Sequence, residues 1–390
     1  MVPSIEYEAP DAIRAVLAAP GRTEDVRFSP SGGRVAIAMF DRNQIVVLGI
    51  EITRSTAGPG VTVRRCVLLE SRTLHGPHGL AFLDENTLVV ASRHGGVEVY
   101  CVPDSEGLIT RCAVTPSQTL SAALDPFKEP SALTVVPAGR DTHDVYVCDN
   151  AADTVVRIRL SAGTTFRQQE ATTPLRRWLS VPDSVAVSRD GGWLAISNHG
   201  TNDVLLFDTA TDLHADTLPA GLLRGMRFPH GLCFSPDDQH LFVCDAEAPF
   251  VHVFTRGSKG WRGIHRPWAT VQVMSEAIFE RGHIGRGDGG PKGFDIDPIS
   301  GLAVTACAEE PLTFFALERL LTEADRVGRS EHGVLTSLDY ELVALDERRR
   351  TMLALRKAQG RIRALKQRLP MRIARRVNRL VAAVRSVFPS

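Results

Sequence analysis

The chain has 390 residues, 43% of them hydrophobic and 23% charged, which excludes a chain disordered by composition and supplies core for one large domain or two ordinary ones. No run approaches the ~20 consecutive apolar residues of a membrane span, and Met1–Pro20 carries Glu6, Glu8 and Asp11 where a signal segment would be basic and then apolar. The formal charge of +0 hides a division: 14 of the 45 basic residues lie between Arg348 and Arg385, where no acidic residue occurs, so residues 1–347 hold 31 basic against 45 acidic residues. An acidic body with a basic tail predicts two parts with different partners.

The seven cysteines form no Cys-x-x-Cys pair. Cys148, Cys233, Cys244 and Cys307 sit inside apolar runs, where cysteine behaves as a small buried hydrophobe, so a reducing cytoplasm is expected.

Along the body one unit recurs: a small polar lead-in, a short apolar strand, a tight turn, a second apolar strand, a polar loop and an alternating strand. Its clearest copies open at Pro77-His78-Gly79-Leu80-Ala81-Phe82, at Pro182-Asp183-Ser184-Val185-Ala186-Val187 and at Pro229-His230-Gly231-Leu232-Cys233-Phe234. Weaker copies open at Glu24-Asp25-Val26, Ser131-Ala132-Leu133 and Lys292-Gly293-Phe294. Aligned on positions 25, 79, 132, 184, 231 and 293, the steps are 54, 53, 52, 47 and 62 residues. Short strands with Gly, Asp and Pro turns at a period of roughly 40–50 residues predict a β-propeller of six blades. Each unit leaves room for an outer strand, such as Val61–Arg64, and the long last step reads as an insertion over Gly257–Gly290. Either Val334–Leu338 or a segment before Arg22 completes the last blade.

The expected organisation is an N-terminal segment over 1–21, an all-β six-bladed propeller over 22–340, and a basic amphipathic α-helical extension over 341–390. The turn Ser235-Pro236-Asp237-Asp238 followed by Leu241–Asp245 resembles the recurrent unit of the six-bladed propeller superfamily, with its NHL and YVTN repeats and its gluconolactonase and paraoxonase-like lactonases. The resemblance covers about 24–317.

In such a blade the innermost strand starts on one face and the second strand returns to it. The lead-ins Glu24, His78, Ser131, Asp183, His230 and Lys292 should therefore ring one channel mouth. Returning loops bring Asp41, Ser92-Arg93-His94, Asp149-Asn150, Asn198-His199, Asp245 and Glu309 to the same face. Convergent polar groups at a concave mouth are a candidate site. The Asp, Asn and Ser members fit equally well as turn residues, whereas histidine is not a favoured turn residue.

The resemblance implies a divalent cation in the channel, calcium or zinc-like, held by a first-blade glutamate and Asn/Asp lead-ins. Glu24 matches the glutamate by position, Asp183 and His230 stand near the asparagines, and Lys292 departs from an expected aspartate. It implies Glu24, Asp183 and Asp245 as metal ligands and His78 and His230 as ligand or base. Arg93, His94, Asn150, Asn198, His199 and Lys292 would then contact a small or anionic ligand. On this reading the protein is a hydrolase of lactone or ester bonds; the alternative is a non-catalytic propeller that binds a ligand or protein.

Gly282–Gly293 is Gly-rich without P-loop or dinucleotide-binding spacing; it is either a plain insertion or a lid bringing Arg286 and Asp288 to a ligand. His75-Gly76-Pro77-His78 cannot share a helix face and is no zinc-protease motif, and no Gly-x-Ser-x-Gly elbow occurs.

From Leu342 the period becomes helical. Met352, Leu355, Ala358, Ile362, Leu365 and Leu369 form a near-heptad seam, Pro370 interrupts it, and a second apolar stripe runs from Met371 to Phe388 beside Arg372, Arg375, Arg376 and Arg379. The basic stretch 348–390 suits an anionic membrane surface, which would make the protein peripheral on the membrane, or a partner helix on the body or a second copy. Nucleic acid is not expected, because no aromatic residue interleaves the charges between 348 and 387.

Overall fold

The computed structural model describes residues 1–390 except 20, 56–57, 106, 124–125, 164, 328–337 and 369–390. From the channel outward, blade one is built of Thr23–Phe28, Arg34–Met39, Gln44–Ser55 and Gly58–Glu70, and blade two of Pro77–Asp84, Thr87–Ser92, Val97–Cys101 and Gln118–Leu120. Blade three comprises Pro130–Gly139, Thr142–Asp149, Thr154–Ser161 and Arg167–Leu175; blade four comprises Pro182–Val187, Trp193–Asn198, Asp203–Asp208 and Gly221–Leu223. Blade five comprises Pro229–Phe234, His240–Asp245, Phe250–Thr255 and Ala269–Gln272, and blade six comprises Gly293–Asp297, Leu302–Ala306 and Thr313–Ala316. Successive strands within each blade pair antiparallel, and each innermost strand packs on those of the two adjacent blades, blade six meeting blade one. The protein is a six-bladed β-propeller.

The second strands Thr87–Ser92 and Trp193–Asn198 are buried along their whole length, because both faces of a blade are covered by its neighbours. The core accordingly lies between blades: Val26, Ile37 and Leu48 pack with Leu302, Val304 and Phe314 across the joint of blades one and six, and Leu232, Leu241 and Val243 pack with Ala195, Val204 and Leu206 across that of five and four.

The ring is completed from the N-terminus. Ile5 bridges Phe314 antiparallel at the open edge of blade six, with Ile5 N–H donating to Phe314 O at 2.7 Å. Tyr7–Glu8 then runs parallel to Gly58–Glu70 of blade one, and the helix Asp11–Ala18 buries Ile13 and Leu17 in the joint of these two blades. The alternative closure through Val334–Leu338 falls mostly outside the described residues.

The expected insertion Gly257–Gly290 is partly blade. Ala269 and Val271 are buried and alternate with half-buried neighbours, so Ala269–Gln272 is the outer strand of blade five, and Gly263–His265 adds a parallel strand to blade four. The helix Glu276–Gly282, N-capped by Ser275, and the Gly-rich loop after it lie outside the sheets, as do the turn Gly257–Arg262 and the short connections. A further helix, Leu317–Val327, follows blade six beyond the repeat, and Leu320 and Ala324 carry the spacing of its buried stripe.

Cys148, Cys244 and Cys307 are buried as expected, while Cys233 is only partly so, and all seven thiols are free. The chain divides into two compact units, Met1–Glu341 and Leu342–Ser390. The helix Leu338–Arg368 includes the described part of the basic segment; Pro370 and the stripe Met371–Phe388 lie outside the described residues. No helix among the described residues is long and apolar enough to cross a membrane.

Candidate functional site at the channel mouth

Two backbone devices aim the lead-ins. In blades one to five the register of the innermost strand slips at its start, between Thr23 and Val26, Pro77 and Gly79, Pro130 and Leu133, Pro182 and Val185, and Pro229 and Leu232. Such a bulge turns a side chain out of the pleat, and each slip contains the lead-in, alone in blade two and with the residue after it in the other four. The second device is glycine: a Cβ on Gly231 would stand 2.1 Å from Lys292 O, and one on Gly79 would stand 2.4 Å from the Ala132 Cα. Lacking that atom, Gly231 donates its N–H directly to Lys292 O at 2.8 Å, which draws the tips of adjacent innermost strands together.

The six lead-ins, all buried, converge as a result. His230 Nε2 lies 3.3 Å from Glu24 Oε2 and 3.2 Å from Asp183 Oδ2, and His78 Nε2 lies 3.6 Å from both Glu24 Oε2 and Asp183 Oδ1. Lys292 Nζ donates to Glu24 Oε1 at 3.2 Å, where Arg22 also binds. Arg93 donates to Asp183 Oδ1 at 3.2 Å and lies 2.6 Å from His78 Nε2. Ser131 donates to the Asp183 carbonyl at 2.9 Å, so its role is to join blades three and four.

The returning loops divide into two positions with different duties. The last residue of the second strand clamps the incoming chain: Asp149 accepts from Lys128 and Glu129 N–H, Asn198 from Ser180 N–H, and Asp245 from Arg227 and Phe228 N–H. Asp41 does the same for Arg22 N–H. This corrects two expectations. Asp245 spends its Oδ1 on Phe228 and Glu247 and its Oδ2 on Arg227 and His252, and Asn198 is held by Ser180 and Asp203; backbone N–H groups leaving a loop need partners, and these side chains supply them. The residue one step later faces the channel: Arg93, Asn150, which donates to Asp183 Oδ1 at 3.3 Å, and His199, whose Nε2 lies 3.5 Å from Asp183 Oδ2. His94 is exposed and rests edge-on against Phe40. Glu309 pairs with Arg281 instead.

Sequence reasoning missed Arg22 and the aromatic walls. Phe40, His78, His230, His199 and Phe228 form a continuous row of rings, the outer contacts at 6.3 and 4.0 Å and the inner ones at 5.5 and 5.3 Å between centroids. Arg22 covers Phe40 at one end and Arg286 covers Phe228 at the other. The only signal for Arg22 was its place beside the first lead-in.

Electrostatics sorts the groups. Burial by itself would raise the Glu24 carboxyl, but the Lys292 ammonium and His78 hold it well below the ordinary carboxylate range. Asp183 is likewise held down against its burial by His199, His230 and His78. Burial and the Arg93 guanidinium push His78 well down, and burial drives His199 down to about 3. Two ionised carboxylates thus face two neutral imidazoles at neutral pH.

The donor set fits a divalent cation. Glu24 Oε2, Asp183 Oδ2 and His199 Nε2 are buried and make no hydrogen bond, while the other oxygen of each carboxylate is taken by Lys292 and Arg22 or by Arg93 and Asn150. Each carboxylate therefore turns one oxygen inward. Two sets, Glu24–His78–His230 and Asp183–His199–His230, bring their ligand atoms within 4.8 Å of one another. Tetrahedral coordination with bonds of about 2.0–2.1 Å implies ligand-to-ligand separations of about 3.3–3.4 Å; His230–Asp183 at 3.2 Å and His199–Asp183 at 3.5 Å in one set, and His230–Glu24 at 3.3 Å in the other, lie near that value. Imidazole nitrogens suit zinc-like ions better than calcium, which takes oxygen.

No protein-family model and no curated protein matches the chain. Among solved structures it is similar to a candidate 6-phosphogluconolactonase from Bacteroides uniformis, at 15% identity over 80% of this chain and 83% of that one, with a TM-score of 0.46. It is similar to a candidate gluconolactonase at 14% identity over 76% and 89% of the two chains, with a TM-score of 0.48. A luciferin-regenerating enzyme aligns at 10% identity over 77% and 92%, also with a TM-score of 0.48. Likeness at this level carries no information about chemistry.

Proposed function

We propose that the channel mouth is the centre of a metal-assisted hydrolase that opens the ester or lactone bond of a small ligand. The supporting observation is the meeting of the inward oxygens of Glu24 and Asp183 with His230 and His199 at 3.2–3.5 Å, with none of the three orphaned atoms hydrogen-bonded. Asp183, His199 and His230, whose ligand atoms all lie within 4.8 Å of one another, would hold the ion, with Glu24 beside them on His230. A zinc-like cation there supplies Lewis acidity toward a carbonyl and a water acidic enough to ionise near neutral pH.

The chain's own groups account for the rest. His78 lies beside this set and is kept neutral by burial and Arg93, so it brings an imidazole without a further positive charge to the ion's edge. Arg93, with a fifth of its side chain exposed, and Arg22 present guanidinium groups to an incoming ligand and favour negative charge developing on its oxygen. Lys292 and Asn150 hold the outer oxygens of Glu24 and Asp183, so both carboxylates keep one orientation. The ring row walls the centre against bulk water.

The test is elemental analysis of purified full-length protein, together with hydrolysis of a panel of lactones and aryl esters. Glu24→Gln and His230→Ala should each reduce bound metal and lower kcat/KM at least ~100-fold, a size typical for loss of a principal catalytic group. Unchanged metal content and hydrolysis in both variants would end this reading. One observation favours a non-catalytic ligand-binding propeller: Arg22, Arg93 and Lys292 already face Glu24, Asp183 and Asp288, three cations against three carboxylates. Ligand binding without retained metal or turnover would select it. For the basic segment after Glu347 we propose docking on an anionic membrane surface.

A further inference from the structure

Asp288 pairs with two cations at the channel mouth. Its Oδ1 accepts from Lys292 Nζ at 3.2 Å and stands 3.7 Å from Arg22 Nη1. Lys292 is only 1% exposed, so a second carboxylate beside Glu24 gives this buried ammonium its outward-facing partner. Unlike Glu24 and Asp183, Asp288 comes from no strand. It belongs to the Gly-rich loop between the helix Glu276–Gly282 and blade six.

That loop packs its buried glycines closely on the rim, Gly287 against Phe228 and Gly290 against Asp245 O, and its direct hydrogen bonds to the mouth are few. Gly287 N–H donates to Glu247 Oε1 at 3.0 Å and Gly290 N–H to Ala246 O at 3.0 Å, while Asp288 N–H turns back to Gly285 O at 3.2 Å. Gly287 and Gly289 hold φ of +77° and +91°, a region open to glycine at little cost, and Ile284 is 88% exposed with no apolar anchor implied. The ion pair of Asp288 is the loop's one charged attachment to the lead-in cluster, whereas Arg286 leans on Phe228 and Glu247 at the rim. Lifting Asp288 away leaves Arg22, Arg93 and Lys292 facing only Glu24 and Asp183. The opened mouth is then net positive before any metal is counted.

We propose that Arg22 and Lys292 form an anion subsite, that Asp288 is its resident occupant, and that the carboxylate or phosphate of a small ligand takes this place as the loop His283–Gly289 lifts from the mouth, with Lys292 held on blade six. The inference rests on the mouth being a ligand site but not on hydrolysis.

The experiment uses full-length protein treated with a chelator, so that neither metal nor turnover enters. Inorganic phosphate and acetate are titrated calorimetrically into wild type and Asp288→Asn, which keeps the side chain's shape and removes its charge. Asp288→Asn should bind the preferred anion about tenfold more tightly, the scale of one charge-assisted contact, and adding Arg22→Met should abolish the gain. The tighter of the two anions identifies the ligand's group. Equal affinity in wild type and Asp288→Asn, or a gain that survives Arg22→Met, overturns the proposal. Should Asp288→Asn not fold, hydrogen exchange in the wild type decides: saturating phosphate should speed exchange at Gly285–Gly290, and unchanged protection refutes displacement. Tighter anion binding by Asp288→Asn with no hydrolysis anywhere in the panel would sink the hydrolase reading and leave this one standing.

Discussion

His230 Nε2 stands 3.2 Å from Asp183 Oδ2 although the two residues open the innermost strands of different blades. Each is displaced by the same register slip at the same position of its strand, and the two strands pack side by side. The contact is therefore made by the repeat itself: one local irregularity, copied around a ring, converts sequence spacing into a cluster.

The glycine after the lead-in is part of that construction. Gly231→Ala places a methyl 2.1 Å from Lys292 O, and backbone cannot yield as a flexible side chain does. We expect a loss of about 1–3 kcal/mol, the usual cost of overpacking, seen as a lowered denaturation midpoint with unchanged slope. Gly107→Ala, whose Cβ meets nothing within 4 Å, serves as the control and should be near neutral.

Acid should weaken the protein before it reaches the carboxylate range. His199 is driven down to about 3 by burial and His78 well below its usual value. Below about pH 6.5 the unfolded chain binds protons that these folded imidazoles refuse, so stability falls with pH until the folded values are reached. Glu24 and Asp183, held low in the fold, add a loss of the same sign below about pH 4. Denaturant titrations between pH 8 and 4 should show a plateau and then a decline, and His199→Asn should flatten the upper part. A decline that begins only below pH 4 in the wild type would show that the imidazoles do not contribute.

The N-terminal helix should behave as core. Ile13 is fully buried between blades one and six, and Ile13→Ala should cost about 2–5 kcal/mol as the cavity forms. Ile5→Pro removes the N–H that donates to Phe314 O and should speed hydrogen exchange in Thr313–Ala316. Unaffected exchange there would mean that blade six does not need this closure.

The basic segment should be separable. Truncation after Glu347 is expected to leave thermal unfolding of the propeller nearly unchanged and to abolish co-sedimentation with anionic vesicles. Binding by the full chain should weaken as salt shortens the ~8–10 Å Debye length. A full-length protein that ignores vesicles but loses a dimer on truncation would replace the membrane with a partner helix.

The repeat was legible because strands covered on both faces must be apolar and turns must be Gly, Asp or Pro; six copies of that constraint fix blade number and innermost strands without any knowledge of contacts. His78, Asp183, His230 and Glu24 were legible for the same reason, since equivalent positions in a closed ring share one mouth. Asp245 and His199 show the limit. They hold neighbouring places in the repeat, the last residue of a second strand and the one after it, yet one clamps backbone N–H groups while the other turns into the channel. One step along an extended chain reverses the direction of a side chain, and an alignment loose by a residue cannot see that. The pairing of Ile5 with Phe314 and of Asp288 with Lys292 was likewise decided only by the tertiary structure. Neither Ile5 nor Asp288 belongs to the repeating strands, so no period predicts where it goes; the first is placed by the open edge of blade six and the second by a buried ammonium that lacks an outer partner without it.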